Sequence, residues 1–261
     1  MKVIFISSIY APQTKEEILL NIKKKMPLLT ASDLFQKNII KGFIENKIQI
    51  EVLTVSPVPS YPFYYSKTHI NSFYFPIENS NKAVNIGHCT IPIFKSITII
   101  FNLMRNILRL VNNSNRESIV LLMYSPNPLF LFTVNLIKAL NFKKNISSAL
   151  IIGDVLVLQK SFSFAKKVQL VFDDLVSKLL YGYTDYFILL SKHLTEKYPK
   201  VKLNNTVIVE GIYSTTQLSE KVDKRNNLPF VLYSGSLQEF TGIKNLIDAF
   251  MVIDNPKKMK E

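Results

Sequence analysis

The residues whose types and spacing best suit chemistry lie near the C-terminal end, at Ser234, Gly235 and Ser236, with Gly242 shortly after. A β-branched and aromatic run at 230–233 precedes them, and Ile243, Leu246, Ile247 and Phe250 follow at helical spacing. The pattern is strand, small-residue turn, helix. Such a unit aims backbone N–H groups and a helix N-terminus at one point, which suits a phosphate. Many α/β proteins open a domain this way without binding anything, so spacing alone leaves both readings standing.

Two carboxylates close strand-like runs. Asp154 follows the apolar run 146–152, at a strand C-terminus where α/β folds gather ligands; a structural cap is the alternative. Glu210, before Gly211, ends the run 206–209 and faces either an interdomain cleft or plain solvent. Asp185 opens a strand and reads as a turn cap, and Asp173 and Asp174 sit on a helical stretch with at least one side to water. His69, His88 and His193 have no carboxylate or cysteine at ligand spacing, so no metal site is expected. Cys89 reads as an ordinary buried thiol. As the one cysteine, it excludes an intramolecular disulfide framework and points to a reducing compartment.

The elements that must position these groups alternate. A buried strand at 2–6 leads into a long loop at 7–30 with the basic patch Lys23, Lys24 and Lys25. A helix at 31–46 carries Leu34, Phe35, Ile39, Ile40, Phe43 and Ile44 on one side, and a strand at 48–55 follows. The stretch 56–76, with Pro57, Pro59, Pro62, Pro76 and many aromatics, reads as an acceptor surface, a membrane-facing lip or a packed loop. A strand at 83–87 precedes a helix at 94–111, whose Lys95, Arg105 and Arg109 stand among apolar residues that pack on a sheet or touch a membrane surface. Strands at 118–123, 146–152, 185–190 and 206–209 are separated by helices at 129–141 and 166–180. The stretch 119–137 is uncharged and nearly long enough to span a bilayer, but Pro126 and Pro128 interrupt it, so strand then helix fits better. The alternation predicts an α/β fold: a parallel sheet covered on both faces in a Rossmann-like domain at 1–212, a polar linker at 213–228, and the start of a second domain at 229–261.

With 48% hydrophobic and 20% charged residues the composition is globular. Lys plus Arg is 32 against 19 for Asp plus Glu, a net +13 that favours anionic partners such as nucleotide diphosphates or lipid phosphates, although drift toward Lys, Asn and Ile codons gives the same balance. No basic tail with interleaved aromatics is present, and nucleic acid is not an expected partner. The apolar run at 1–6 is too short for a signal peptide. The chain has 7 glycines, none arranged as G-x-G-x-x-G after the first strand, which argues against a dinucleotide-binding enzyme.

Several segments, in this order, resemble the family 4 glycosyltransferases of bacterial capsule and exopolysaccharide clusters. They are ASDLFQKNIIKG at 31–42, Pro59-Ser60-Tyr61-Pro62, the stretches 120–126, 151–154, 183–191 and 209–212, and finally LYSGSL, GI and LIDAF between 232 and 250. The resemblance implies a GT-B fold of two Rossmann-like domains. A UDP- or GDP-sugar donor is then held mainly by the C-terminal domain, with phosphate contacts from Ser234, Gly235, Ser236 and Gly242. A lipid-linked saccharide or polysaccharide acceptor is held by the N-terminal domain, with Asp154 and Glu210 on that side and Asp154 the single catalytic candidate. It further implies hexose transfer with retention, no metal or other cofactor, and a cytoplasmic location, in solution or peripheral at the membrane face.

The departures bear on activity. The family's C-terminal domain runs on the order of 100 residues further and holds an E-x7-E pair that this sequence does not reach. The usual Arg and Lys beside the diphosphate fall near Ser236 and Thr241, and neither neutralises a phosphate. Where relatives carry His-Asp or Asp-Leu-Pro, the sequence is Gly153-Asp154-Val155-Leu156. The expectation is a chain truncated within its C-terminal domain and inactive alone. The alternative is a non-catalytic acceptor-binding or partner-docking half of a split transferase, with a second chain supplying the donor domain.

Overall fold

In the computed structural model of the chain, the apolar run at its start becomes β1 (Lys2–Ser7), buried along its whole length. The structure describes residues 1–23, 30–77, 81–114, 118–141, 144–153, 164–198, 201, 203–212 and 242–251. These fall into two units, Met1–Tyr213 and Ser214–Glu261. After β1, the first unit runs through α1 (Pro12–Asn21), α2 (Thr30–Glu45), β2 (Ile50–Thr54), β3 (His69–Ile70), β4 (Phe73–Ile77), β5 (Asn81–Asn85) and β6 (His88–Cys89). It continues through α3 (Phe94–Asn112), β7 (Ile119–Tyr124), α4 (Pro128–Leu140), β8 (Ile146–Ile152), α5 (Phe164–Leu180), β9 (Tyr186–Leu189), α6 (Leu194–Lys197) and β10 (Thr206–Ile208). In the second unit the described element is α7 (Ile243–Met251).

The sheet is α/β in character, with order β10-β9-β8-β7-β1-β2-β5-β4. Every pairing is parallel except β4 with β5. β1 lies inside it, Phe5 opposite Val52 on one flank and Leu122 on the other. Because side chains alternate along a strand, Val3 and Phe5 meet Ile39 and Ile40 of α2, while Ile4 and Ile6 share the opposite core with Leu103 and Ile107 of α3 and Leu131 and Val134 of α4. The helix α3 forms that core with one stripe, Ile99, Leu103, Ile107 and Val111, spaced by four residues. Pro128 opens α4, and the Asn127 side chain caps it by accepting from the Leu129 N–H at 2.9 Å.

A hydrophobic core lies on each face of the sheet, as a parallel sheet covered on both sides requires. The helices α3 and α4 back one face, with α5 packed beside α4. On the other, α2 covers β1 and β2, and an apolar groove runs between its Phe35 and Phe43 and the strand residues Ile151, Ile188 and Leu190. The loop expected at 7–30 contains α1. Pro12 at its first turn is a helix-start residue, but only Thr14 and Ile18 are buried, too thin a stripe to show as periodicity. The irregular stretch 56–76 holds β3 and much of β4; Pro76 is tolerated there because β4 is an edge strand. The short β3 and β6 pair apart from the main sheet, and a Cβ at Gly87 would stand 2.5 Å from the Ser72 nitrogen, so only glycine allows that approach. Cys89, on this two-stranded edge, is half-buried and not the buried thiol expected. Leu34 is 46% exposed, off the buried side of α2.

Asp185 ties three elements together. Its Oδ2 accepts from the Ser148 N–H at 2.7 Å and from Lys138 Nζ at 2.5 Å. Burial pushes its carboxyl up, but the Lys138 and Ser148 hydrogen bonds outweigh that and hold it below the ordinary value. Among the described residues no helix is long and apolar enough to cross a membrane, and the uncharged run at 119–137 is β7 followed by α4.

Two outcomes follow from this packing. Leu103→Ala, which empties a fully buried site in α3, is expected to cost about 3 kcal/mol in urea unfolding. Burial, with Lys95 adding to it, lowers His88 to about 4 from 6.5, and its ring hydrogen bond among the described residues is to the Ile86 carbonyl at 3.1 Å. The folded state therefore holds this imidazole neutral where the unfolded chain takes up a proton. Stability is expected to be complete above pH 6.5 and to fall between 6.5 and 4. His88→Gln should flatten that part of the stability profile; an unchanged slope would rule out His88 as its source.

Candidate functional site

From β1 the chain builds β2 and β5 on one side and later returns to build β7 on the other. The connections leaving the C-terminal ends of β1 and β7 therefore diverge, and a crevice opens between them. Its walls are the turn after β1, the first half of α2 and the end of β7.

The turn after β1 has backbone donors that no strand satisfies, and α2 supplies the acceptors. The Ser8 N–H donates to Gln36 Oε1 at 2.8 Å, and the Tyr10 N–H to Asp33 Oδ1 at 2.7 Å. This explains why Asp33 and Gln36 are buried where an apolar face was expected. Gln36 Nε2 donates to the Ser32 carbonyl at 3.1 Å, with Ser32 Oγ at 3.2 Å and Ser8 Oγ at 3.4 Å beside it. The Ser32 hydroxyl in turn donates to the Tyr124 phenol at 3.3 Å, and the Tyr124 ring packs on Phe35 with centroids 6.0 Å apart. Lys37 holds the other oxygen of Asp33 at 2.7 Å. From the β2 side, Thr54 Oγ1 donates to the Ile9 carbonyl at 2.9 Å and Ser56 Oγ to Asn85 Oδ1 at 2.9 Å.

Directly after Tyr124, Ser125 takes φ 67, a left-handed conformation that costs a serine roughly 1 kcal/mol or more. Its N–H donates to the Ile151 carbonyl at 2.9 Å, and its own carbonyl accepts from Asn127 at 2.8 Å, so the turn is held from both sides. Ser8, Ser32 and Tyr124 are thus joined through Gln36 in one hydrogen-bonded line at the C-terminal ends of β1 and β7, with Ser125 exposed next in the chain. Asp33, the carboxylate in this wall, is committed to Tyr10 and Lys37. The site can hold a polyhydroxylated or phosphorylated group by hydrogen bonds; it offers orientation more than proton transfer.

Asp154, Ser234, Gly235 and Ser236 lie outside the described residues. Gly153, the residue before Asp154, closes β8 beside this wall: a Cβ there would meet the Tyr124 hydroxyl at 3.8 Å. Glu210 is exposed just past β10, which stands three strands from β7, on the order of 14 Å across the sheet. It is not brought into the crevice. Gly242 belongs to the second unit; at φ 75 it opens α7, and its carbonyl accepts from the Leu246 N–H at 3.0 Å. His69 and His193 are exposed, and among the described residues no group of three His, Cys, Asp or Glu side chains could hold a metal. Ser8 was not singled out from the sequence, and Ser32, Gln36, Tyr124 and Ser125 entered only within the segments 31–42 and 120–126 that carry the resemblance. The available signal was polar Asp33 and Gln36 standing in helical register with Ile40. No family model matches the chain, and no curated protein matches it.

Gln36→Leu is expected to lower stability by about 1–3 kcal/mol, because the part-buried Ser8 N–H loses its acceptor. Tyr124→Phe removes a half-buried hydroxyl and should cost less than about 1 kcal/mol. Denaturant midpoints of the two variants compared with the parent check this ordering.

Proposed function

We propose that the Met1–Tyr213 unit is the acceptor-side half of a GT-B glycosyltransferase of the capsule or exopolysaccharide type. The reaction moves a hexose from a UDP- or GDP-sugar to a lipid-linked saccharide or polysaccharide. The observation that carries the reading is the hydrogen-bonded line of Ser8, Gln36, Ser32 and Tyr124, with Ser125 exposed beside it, at the switch point of a parallel sheet. Two of the segments that resemble the family, 31–42 and 120–126, are the ones that build its walls.

In such a transfer the bond between the anomeric carbon and the diphosphate breaks as the acceptor oxygen bonds that carbon, and the acceptor proton leaves with the diphosphate. Neutral hydroxyls suit the acceptor's part: they fix which oxygen points at the anomeric carbon without placing a competing charge beside the diphosphate. In this reading Asp154 acts on the acceptor, Glu210 belongs to the acceptor-side unit but lies outside the crevice, and Ser234, Gly235, Ser236 and Gly242 give N–H groups to the donor phosphates.

The test is thermal unfolding of the full chain with millimolar UDP, GDP and a short lipid-linked saccharide, each added separately. A ligand at a hundredfold excess over its dissociation constant should add roughly 2.7 kcal/mol of stabilisation. One nucleotide is expected to raise the midpoint and so name the donor class. The saccharide is expected to raise it too, with Ser32→Ala or Tyr124→Phe weakening that binding about 3- to 10-fold. A response to saccharide alone would make the chain an acceptor-binding half; silence toward all three would overturn the reading.

A further inference from the structure

We infer that the N-terminal half of α3, together with the 61–64 turn, is a docking surface for an anionic lipid bilayer. The helix has two apolar stripes, and only one is used by the core. Opposite the buried stripe, Phe94, Ile97 and Phe101 are more than half exposed, and the same line continues into Arg105 and Arg109, also exposed. The 61–64 turn stands at the same end of the helix: the Tyr61 N–H donates to the Thr90 carbonyl at 3.0 Å, and Lys95 of the first turn of α3 donates to the Val58 carbonyl. That turn leaves Phe63 73% exposed, and Lys23 sits over the Tyr61 ring at 5.9 Å.

The chemistry matches one occupant. Aromatic and branched apolar side chains on a polar rim, with arginines along the same line, are what an interfacial helix offers to the boundary between acyl chains and phosphates. The helix α3 carries Lys95, Arg105 and Arg109 and no acidic residue, and Lys23 stands over Tyr61 of the neighbouring turn, so this face complements a negative surface. Neither Arg105 nor Arg109 has an ion-pair partner among the described residues. A contact between two copies through this stripe would gather four arginines in one interface with no acidic residue of α3 to pair them, an arrangement that costs stability. The inference stands on exposure and charge and does not depend on the transferase reading.

The test uses the full chain and vesicles of phosphatidylglycerol mixed equally with phosphatidylcholine, with pure phosphatidylcholine as the comparison. The chain contains no tryptophan, so Phe101→Trp gives a single reporter. Its emission is expected to shift to the blue with the anionic vesicles, and co-sedimentation with them should weaken as salt rises. Arg105→Glu with Arg109→Glu should lower affinity by roughly fivefold or more for each arginine, and Phe94→Ser with Phe101→Ser by a similar extent, at unchanged thermal midpoints since all four side chains are exposed. No blue shift, or equal vesicle binding by both double variants, overturns the inference. So does a concentration-dependent dimer that Phe94→Ser with Phe101→Ser abolishes, which would assign the face to a second copy.

Discussion

The hydrogen bonds from the Ser8 and Tyr10 amides to Gln36 and Asp33 are the constraint on which the crevice depends. A strand buried on both faces must be apolar throughout, and its chain must then turn away without water to satisfy the backbone. By lending side-chain oxygens to that turn, α2 fixes the turn's path and its own position over β1 together. Ser32 and, through it, Tyr124 are placed as a result. The geometry of the site is therefore a by-product of satisfying backbone donors at the end of the innermost strand.

Much of the architecture was legible before any coordinates. Continuous apolar runs at 2–6, 118–123 and 146–152 became β1, β7 and β8 within a residue or two, since a strand buried on both faces leaves little room for polar side chains. The helix α3 was equally plain, because its inner stripe repeats every four residues. What escaped was local or long-range in origin. The helix α1 buries too little to show a period, and β4 is held by pairing with β5. Asp33 and Gln36 were hidden because a buried polar residue at a helical position looks solvent-facing until its backbone partner is known.

The candidate site was less legible than the fold for a related reason. Glu210 follows a strand, as a ligand-side carboxylate should, but distance across a parallel sheet grows with strand order, and order is not written in local spacing. Tyr124 and Ser125 lie at the strand end that matters because β7 is the neighbour of β1. The same contrast marks α3, whose inner stripe announces itself by period while its outer stripe gains meaning only when no other part of the described chain covers it.

The pairing of Lys2 with Ile119 at the start of the β1–β7 ladder bears on how the molecule comes into being. A nascent chain emerges from its N-terminus, so β1 is made long before the strand that flanks it on one side. Until β7 has left the ribosome, β1 can close only toward β2, and its other edge waits with hydrophobic side chains on both faces. The first half of this sheet is thus exposed to holdase-type chaperones for as long as it takes to synthesise the intervening chain.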